Sequence, residues 1–201
     1  MQDITRKGPP PPEFSLVDGG LSFQANSNTV QLFVQDHLSR VRALDAMVIE
    51  EDTYLVLSTP HRQMQESAHP VRVIHRAYNA EPEMPGAVIV KAGSPLLLLA
   101  VVHHLSYDPS FSEEWITLAL ENVMCFCAAR QIRSLGTPIL GSVYGSFPAQ
   151  RFLSLLRGAM ERRSLPGLRE IWLQAYPHES RHILSLVNLE FGYGKNQNRH
   201  Q

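Results

Sequence analysis

The sequence predicts an α/β fold, a three-layer α/β/α sandwich around a mixed, mostly parallel central sheet. Three observations carry that expectation. Ala87 to Lys91 and Leu96 to His103 are apolar runs of strand length, as buried strands require. Ser112 to Leu135, Ala149 to Arg163 and Pro177 to Leu189 have helical periodicity, and strands alternate with helices along the chain. The 201 residues, 44% of them apolar, suffice for one domain with a sizeable core.

In chain order, Gly8-Pro9-Pro10-Pro11-Pro12 closes a flexible, proline-rich arm over residues 1–13, since consecutive prolines favour an extended linker. A single domain is expected over 14–191. Phe14 to Val17 and Leu21 to Gln24 flank Asp18-Gly19-Gly20 as a hairpin. Thr29 to Gln35 alternates as a strand does, although Phe33 makes it apolar on both faces. Asp36 to Leu44 reads as a turn or short helix, and Asp45 to Glu50 as another strand. Residues 53–70 carry Thr59-Pro60-His61 and Ala68-His69-Pro70 and read as a long irregular excursion, followed by a short helix from Val71 to Asn79. Ser112 suits a helix N-cap, with Glu113 and Glu114 at the positive end of the dipole. Thr137 to Leu140 and Leu168 to Ala175 are the remaining strands. A polar tail over 192–201 is expected to be disordered.

Charge and composition narrow the function. A formal net charge of −1 gives no general affinity for polyanions, so nucleic acid is not an expected partner and phosphate recognition must be local. No apolar run approaches a membrane span, and Met1-Gln2-Asp3 lacks the form of a signal peptide. A cytoplasmic protein without a membrane partner is expected. Cys125 and Cys127 fall about 200° apart on a helix, so they neither pair nor share a metal, and both read as buried free thiols. His178-Glu179-Ser180-Arg181-His182 matches H-E-x-x-H, which on a helix can hold zinc. Here it follows Pro177 at a helix start, with no glycine-and-histidine continuation, in a chain of nine histidines. It is read as a chance match, and no metal or cofactor is expected.

The stretch with the clearest chemistry is Gly141-Ser142-Val143-Tyr144-Gly145-Ser146-Phe147-Pro148, between a short strand and a helix. Backbone N–H groups at such a turn point the same way as the helix dipole and suit an anion, usually phosphate. Glycine lets a ligand approach closely, and Pro148 suits a helix start. The competing reading is a purely structural turn.

With that turn in place, the chain resembles a macro domain, the module that binds ADP-ribose and its relatives, over roughly residues 29–190. Ser142-Val143-Tyr144-Gly145 stands where the family has its second phosphate loop, with serine for the usual first glycine. Gln35-Asp36, Asp45-Ala46-Met47-Val48 and Ile74-His75-Arg76-Ala77 match further family stretches, and Asn122 lies in the long helix where an asparagine is common. The resemblance implies that Asp36 accepts from the adenine amino group and that Tyr176 lies against the base. It also implies that Gly141, Ser142, Val143, Tyr144, Gly145, Ser146 and Phe147 form the diphosphate turn, with Tyr144 covering the distal ribose. The family's Asn-Ala-Ala-Asn is Ile49-Glu50-Glu51-Asp52 here, which puts Asp52 at the second asparagine. Its glycine-rich first loop is replaced by Glu66-Ser67-Ala68-His69-Pro70.

The resemblance therefore implies a module that binds ADP-ribose or a related nucleotide diphosphate without catalysis, since hydrolytic members depend on that asparagine and that loop. Two alternatives stay open: a degenerate module that has lost its ligand and serves a protein partner or regulation, and an ADP-ribosyl hydrolase. His69 and His75 are candidate bases but read equally as packing or surface residues. The three acids are the point of tension. A carboxylate about 6 Å from a phosphate charge costs on the order of 3 kcal/mol at an effective dielectric of 20, while one stacked base contributes roughly 1–3 kcal/mol. In a regular strand Glu51 points one way and Glu50 and Asp52 the other, so register decides.

Overall fold

Strands β4 (Ala46–Asp52) and β6 (Leu96–His103) run side by side in parallel, with one further strand between them and an edge of the sheet. The computed structural model describes residues 16–17, 20–25, 28–36, 43–57 and 81–192. With this pair go β1 (Leu16–Val17), β2 (Gly20–Ala25), β3 (Asn28–Asp36), β5 (Val88–Lys91), β7 (Ser134–Pro138) and β8 (Glu170–Ala175). Together they form an eight-stranded sheet in the order β1-β2-β3-β8-β7-β4-β6-β5. Strands β3, β8, β7, β4 and β6 are parallel; β1, β2 and β5 pair antiparallel at the two edges. The mixed, mostly parallel sheet matches the expected fold class.

Helices α1 (Glu113–Arg130), α2 (Ala149–Glu161) and α3 (Ser180–Gly192) pack side by side on one face. Val48, Leu98, Ala100 and Val102 point into that core, against Ile116, Leu120, Phe152 and Leu156. The opposite face is covered too, for Leu99 and Val101 are fully buried. This explains why Leu96 to His103 is apolar without alternation. Phe33 and Trp172 are register partners on β3 and β8 and stack at 4.2 Å, which accounts for the second apolar face of β3.

Helix boundaries follow local chemistry. Ser112 caps α1 by accepting from the Trp115 amide at 3.2 Å, with Glu113 and Glu114 in the first turn. The helix ends at Arg130 rather than Leu135, because Gln131 turns left-handed (φ 55°) and its amide closes on Cys127 O. Ser134–Pro138 is thereby released as β7, starting earlier than Thr137. Tyr176 O takes the amides of Glu179 and Ser180, so α3 starts at Ser180 instead of Pro177. Cys127 is buried as expected, and burial pushes its thiol up to about 12; Cys125 is exposed, a correction to the expectation for both thiols. The proline arm, most of the 53–70 excursion, the 71–79 helix and the polar tail lie outside the described residues. No described helix is long and apolar enough to cross a membrane.

Candidate ligand cleft

Because β4, β7 and β8 are parallel, their carboxyl ends open on the same edge, where ligands bind in such sheets. A cleft of about 410 Å³ lies there. Met47 to Glu50 form one wall, Ile139 and Ser142 to Tyr144 another, and Gln174, Ala175, Tyr176 and Glu179 the rim. Among the described residues the lining holds two acids and no lysine or arginine.

The glycine turn is built tightly. Gly141 has φ +81°, and a Cβ there would fall 2.7 Å from Phe147 Cβ and 2.8 Å from Ile116 Cδ1, so only glycine fits. The turn closes on itself through Ser142 N to Ile139 O at 3.1 Å and Phe147 N to Gly141 O at 3.0 Å. Two of the amides offered to an anion are already taken by the protein. Gly141 N donates to Glu50 Oε2 at 2.8 Å, and Tyr144 N donates to Glu50 Oε1 at 3.2 Å. The amides of Val143, Gly145 and Ser146 make no hydrogen bond among the described residues.

Glu50 is only 2% exposed, and its carboxylate also meets His103 Nε2 at 2.5 Å. His103, fully buried at the end of β6, has Nδ1 2.9 Å from Ser110 Oγ. A carboxylate this deep needs several donors to offset desolvation, and two amides and an imidazole supply them. Asp52 is likewise buried but faces along its own chain. It accepts from the amides of Tyr54 at 2.6 Å and of Val56 and Leu57 at 3.0 Å. Glu51, between them, is fully buried.

The expected site residues therefore divide. Ser142, Val143, Tyr144 and Tyr176 line the cleft; Gly141, buried, and Gly145 and Ser146, exposed, belong to the same turn outside that lining. Asp36 is the last residue of β3, paired with Ala175 of the rim. Asp52 is committed to the 54–57 turn, and Phe147 is buried behind the glycine turn, its ring 5.9 Å from Phe111. Tyr144 spans both turns, its hydroxyl donating to Leu57 O at 3.1 Å. Burial, and then the charges of Glu50 and Glu51, push that phenol above its usual range. Tyr176 stands at the rim with the His178 ring stacked on it at 5.9 Å. His178 precedes α3, so the H-E-x-x-H stretch does not sit on one helix, and no metal-binding cluster occurs among the described residues.

Sequence reasoning found the turn but missed its partner. In the sequence Glu50 is one of three acids that oppose an anion, and nothing there marks His103 as its partner. The available signal was three consecutive acids at the end of an apolar strand, which demand donors from elsewhere in the fold.

No family model matches the sequence, and no curated protein matches it either. Solved structures do. The Oceanobacillus iheyensis macrodomain with ADP superposes with a TM-score of 0.61 at 16% identity, covering 87% of this chain and 95% of that one. The fold is that of a macrodomain. The macro domain of ganglioside induced differentiation associated protein 2 agrees, with a TM-score of 0.58 at 13% identity over 80% of this chain and 84% of that one. So does the Thermus aquaticus DarG macrodomain, at 0.52 and 18% over 72% of this chain and 97% of that one. A mutant of the O. iheyensis macrodomain was solved with ADPR. At these identities the macrodomain likeness speaks for architecture, and the chemistry of the cleft is carried by this chain's own residues.

Proposed function

We propose that this macrodomain-fold chain is a binding module that takes a nucleotide-like ligand in the cleft and does not turn it over. The observation that carries the reading is the cleft at the carboxyl edge, bounded by Tyr176 on one side and by Ser142, Val143 and Tyr144 of the glycine turn on the other. Its apolar wall, with Met47, Val48, Ile49 and Ile139, suits a base and a sugar face, and the Tyr176 ring is placed to cover the base. Val143 lines the cleft, and its amide, which makes no hydrogen bond among the described residues, remains for a phosphate or a hydroxyl. Absence of turnover rests on Asp52, which stands where the resemblance puts the second asparagine and whose carboxylate is held by three backbone amides.

Calorimetry with ADP-ribose, ADP, NAD and adenosine tests the reading. Saturating heat for at least one of them is expected; none at millimolar concentration removes it. A second reading, a module that has lost small-molecule binding and serves a protein partner, is favoured by one observation: Glu50 already fills the Gly141 and Tyr144 amides. The same titrations decide between the two.

A further inference from the structure

We propose that Glu50 is the specificity-determining residue of this cleft: its carboxylate stands in for a ligand anion at the glycine turn and turns the site against diphosphates. The proposal rests on the nucleotide-like reading of the cleft and adds the charge class that the cleft prefers.

Four observations lead there. The two oxygens of Glu50 accept from Gly141 N and Tyr144 N, the geometry with which an external oxyanion would engage such a turn. The carboxylate is held from behind by His103, itself fixed by Ser110, so it does not swing aside at little cost. It lines the cleft while being nearly inaccessible, which makes it part of the wall. Among the described residues no lysine or arginine lines the cleft to offset it, and Glu179 adds a second acid at the rim.

The electrostatics then decide. Tyr144 N lies 3.2 Å from Glu50 Oε1, so a phosphate hydrogen-bonded to that region of the turn sits within about 6 Å of the carboxylate. At an effective dielectric of 20, one such pair of like charges lowers affinity about 100-fold. The two occupied amides are lost to the ligand as well. A nucleoside or another ligand without charge at this position meets neither penalty. The cleft thus keeps the shape of a nucleotide site and reverses its charge preference.

The experiment compares wild type with Glu50→Ala and the near-isosteric Glu50→Gln. Titrations with ADP-ribose, inorganic pyrophosphate and adenosine are run on each, with folding checked by circular dichroism and thermal melting. Glu50→Ala opens both amides; Glu50→Gln removes the charge while keeping a partner for His103, and it carries the test if the alanine variant does not fold. The expected result is at least a tenfold gain in ADP-ribose and pyrophosphate affinity, with at least a tenfold rise in the ratio of ADP-ribose to adenosine affinity. A smaller gain, no pyrophosphate binding by a folded variant, or wild type binding pyrophosphate as tightly as the variants overturns the proposal. Should pyrophosphate binding appear on substitution while adenosine binds no form of the protein, the role of Glu50 stands and the nucleotide-like reading falls.

Discussion

At the 52–57 turn the amides of Tyr54, Val56 and Leu57 close on Asp52, between 2 and 5 residues away; at the glycine turn the amides of Gly141 and Tyr144 close on Glu50, 91 and 94 residues away. Both turns gather backbone donors around a buried carboxylate. The first needs almost no loop closure and forms wherever the chain forms, as aspartate turns do. The second exists only once the sheet has placed β4 beside β7, and one side of it opens on the cleft. Local closure is a structural device. Remote closure at a cleft wall is one that a ligand, or a substitution, can exchange.

The difference can be broken first at its local half. Asp52→Ala leaves three amides of a half-buried turn without their acceptor and is expected to cost about 3 kcal/mol of unfolding free energy, read by urea denaturation. Glu50→Ala is expected to cost less, about 2 kcal/mol in the same measurement. His103 loses a buried partner and the Gly141 amide stays buried, but only two amides are left, and that of Tyr144 lies at the cleft. Equal or reversed costs would show that the two turns are of one kind. Gly141→Ala should cost about 1–2 kcal/mol from left-handed strain and the crowding of Phe147 and Ile116, again by denaturation. The smallest effect is expected from Tyr144→Phe, which removes the bond to Leu57 O at a partly exposed site, about 0.5 kcal/mol.

That last variant also has a pH signature. The Tyr144 phenol is raised in the folded state, so the native protein holds this proton more tightly than the unfolded chain does. Its contribution to stability is complete below the ordinary tyrosine pKa of about 10 and is lost as pH rises through the higher native value. Tyr144→Phe should therefore flatten the alkaline fall in stability, and an absorbance titration should lose one late-ionising tyrosine.

The fold was legible because its signals are local. The apolar run at β6, the capped helix after Ser112 and the strand–turn–helix at Gly141 each announce themselves within a dozen residues. The resemblance drawn from Ser142 to Gly145 and Asp45 to Val48 placed the architecture among macrodomains, where the solved structures also put it. What could not be read was which donors met the acids of β4. Strict alternation would send Glu50 and Asp52 to one side. The pairing instead skips from Val101, opposite Glu51, to His103, opposite Asp52, and the break turns Asp52 into its own loop while Glu50 faces the glycine turn. A register slip of one residue, and a partner 91 positions downstream, leave no periodic trace in a single sequence.

One linkage reaches beyond the cleft. Ser110, His103, Glu50 and Gly141 touch in series, so the loop leading into α1 is joined to the inner wall by a hydrogen-bonded thread, alongside the backbone bond from His104 N to Ser110 O. Pulling that loop outward would unbutton the wall from behind. A contact made near Tyr107, which is 60% exposed on that loop, would pull on the bonds that end at the cleft wall without touching the guest.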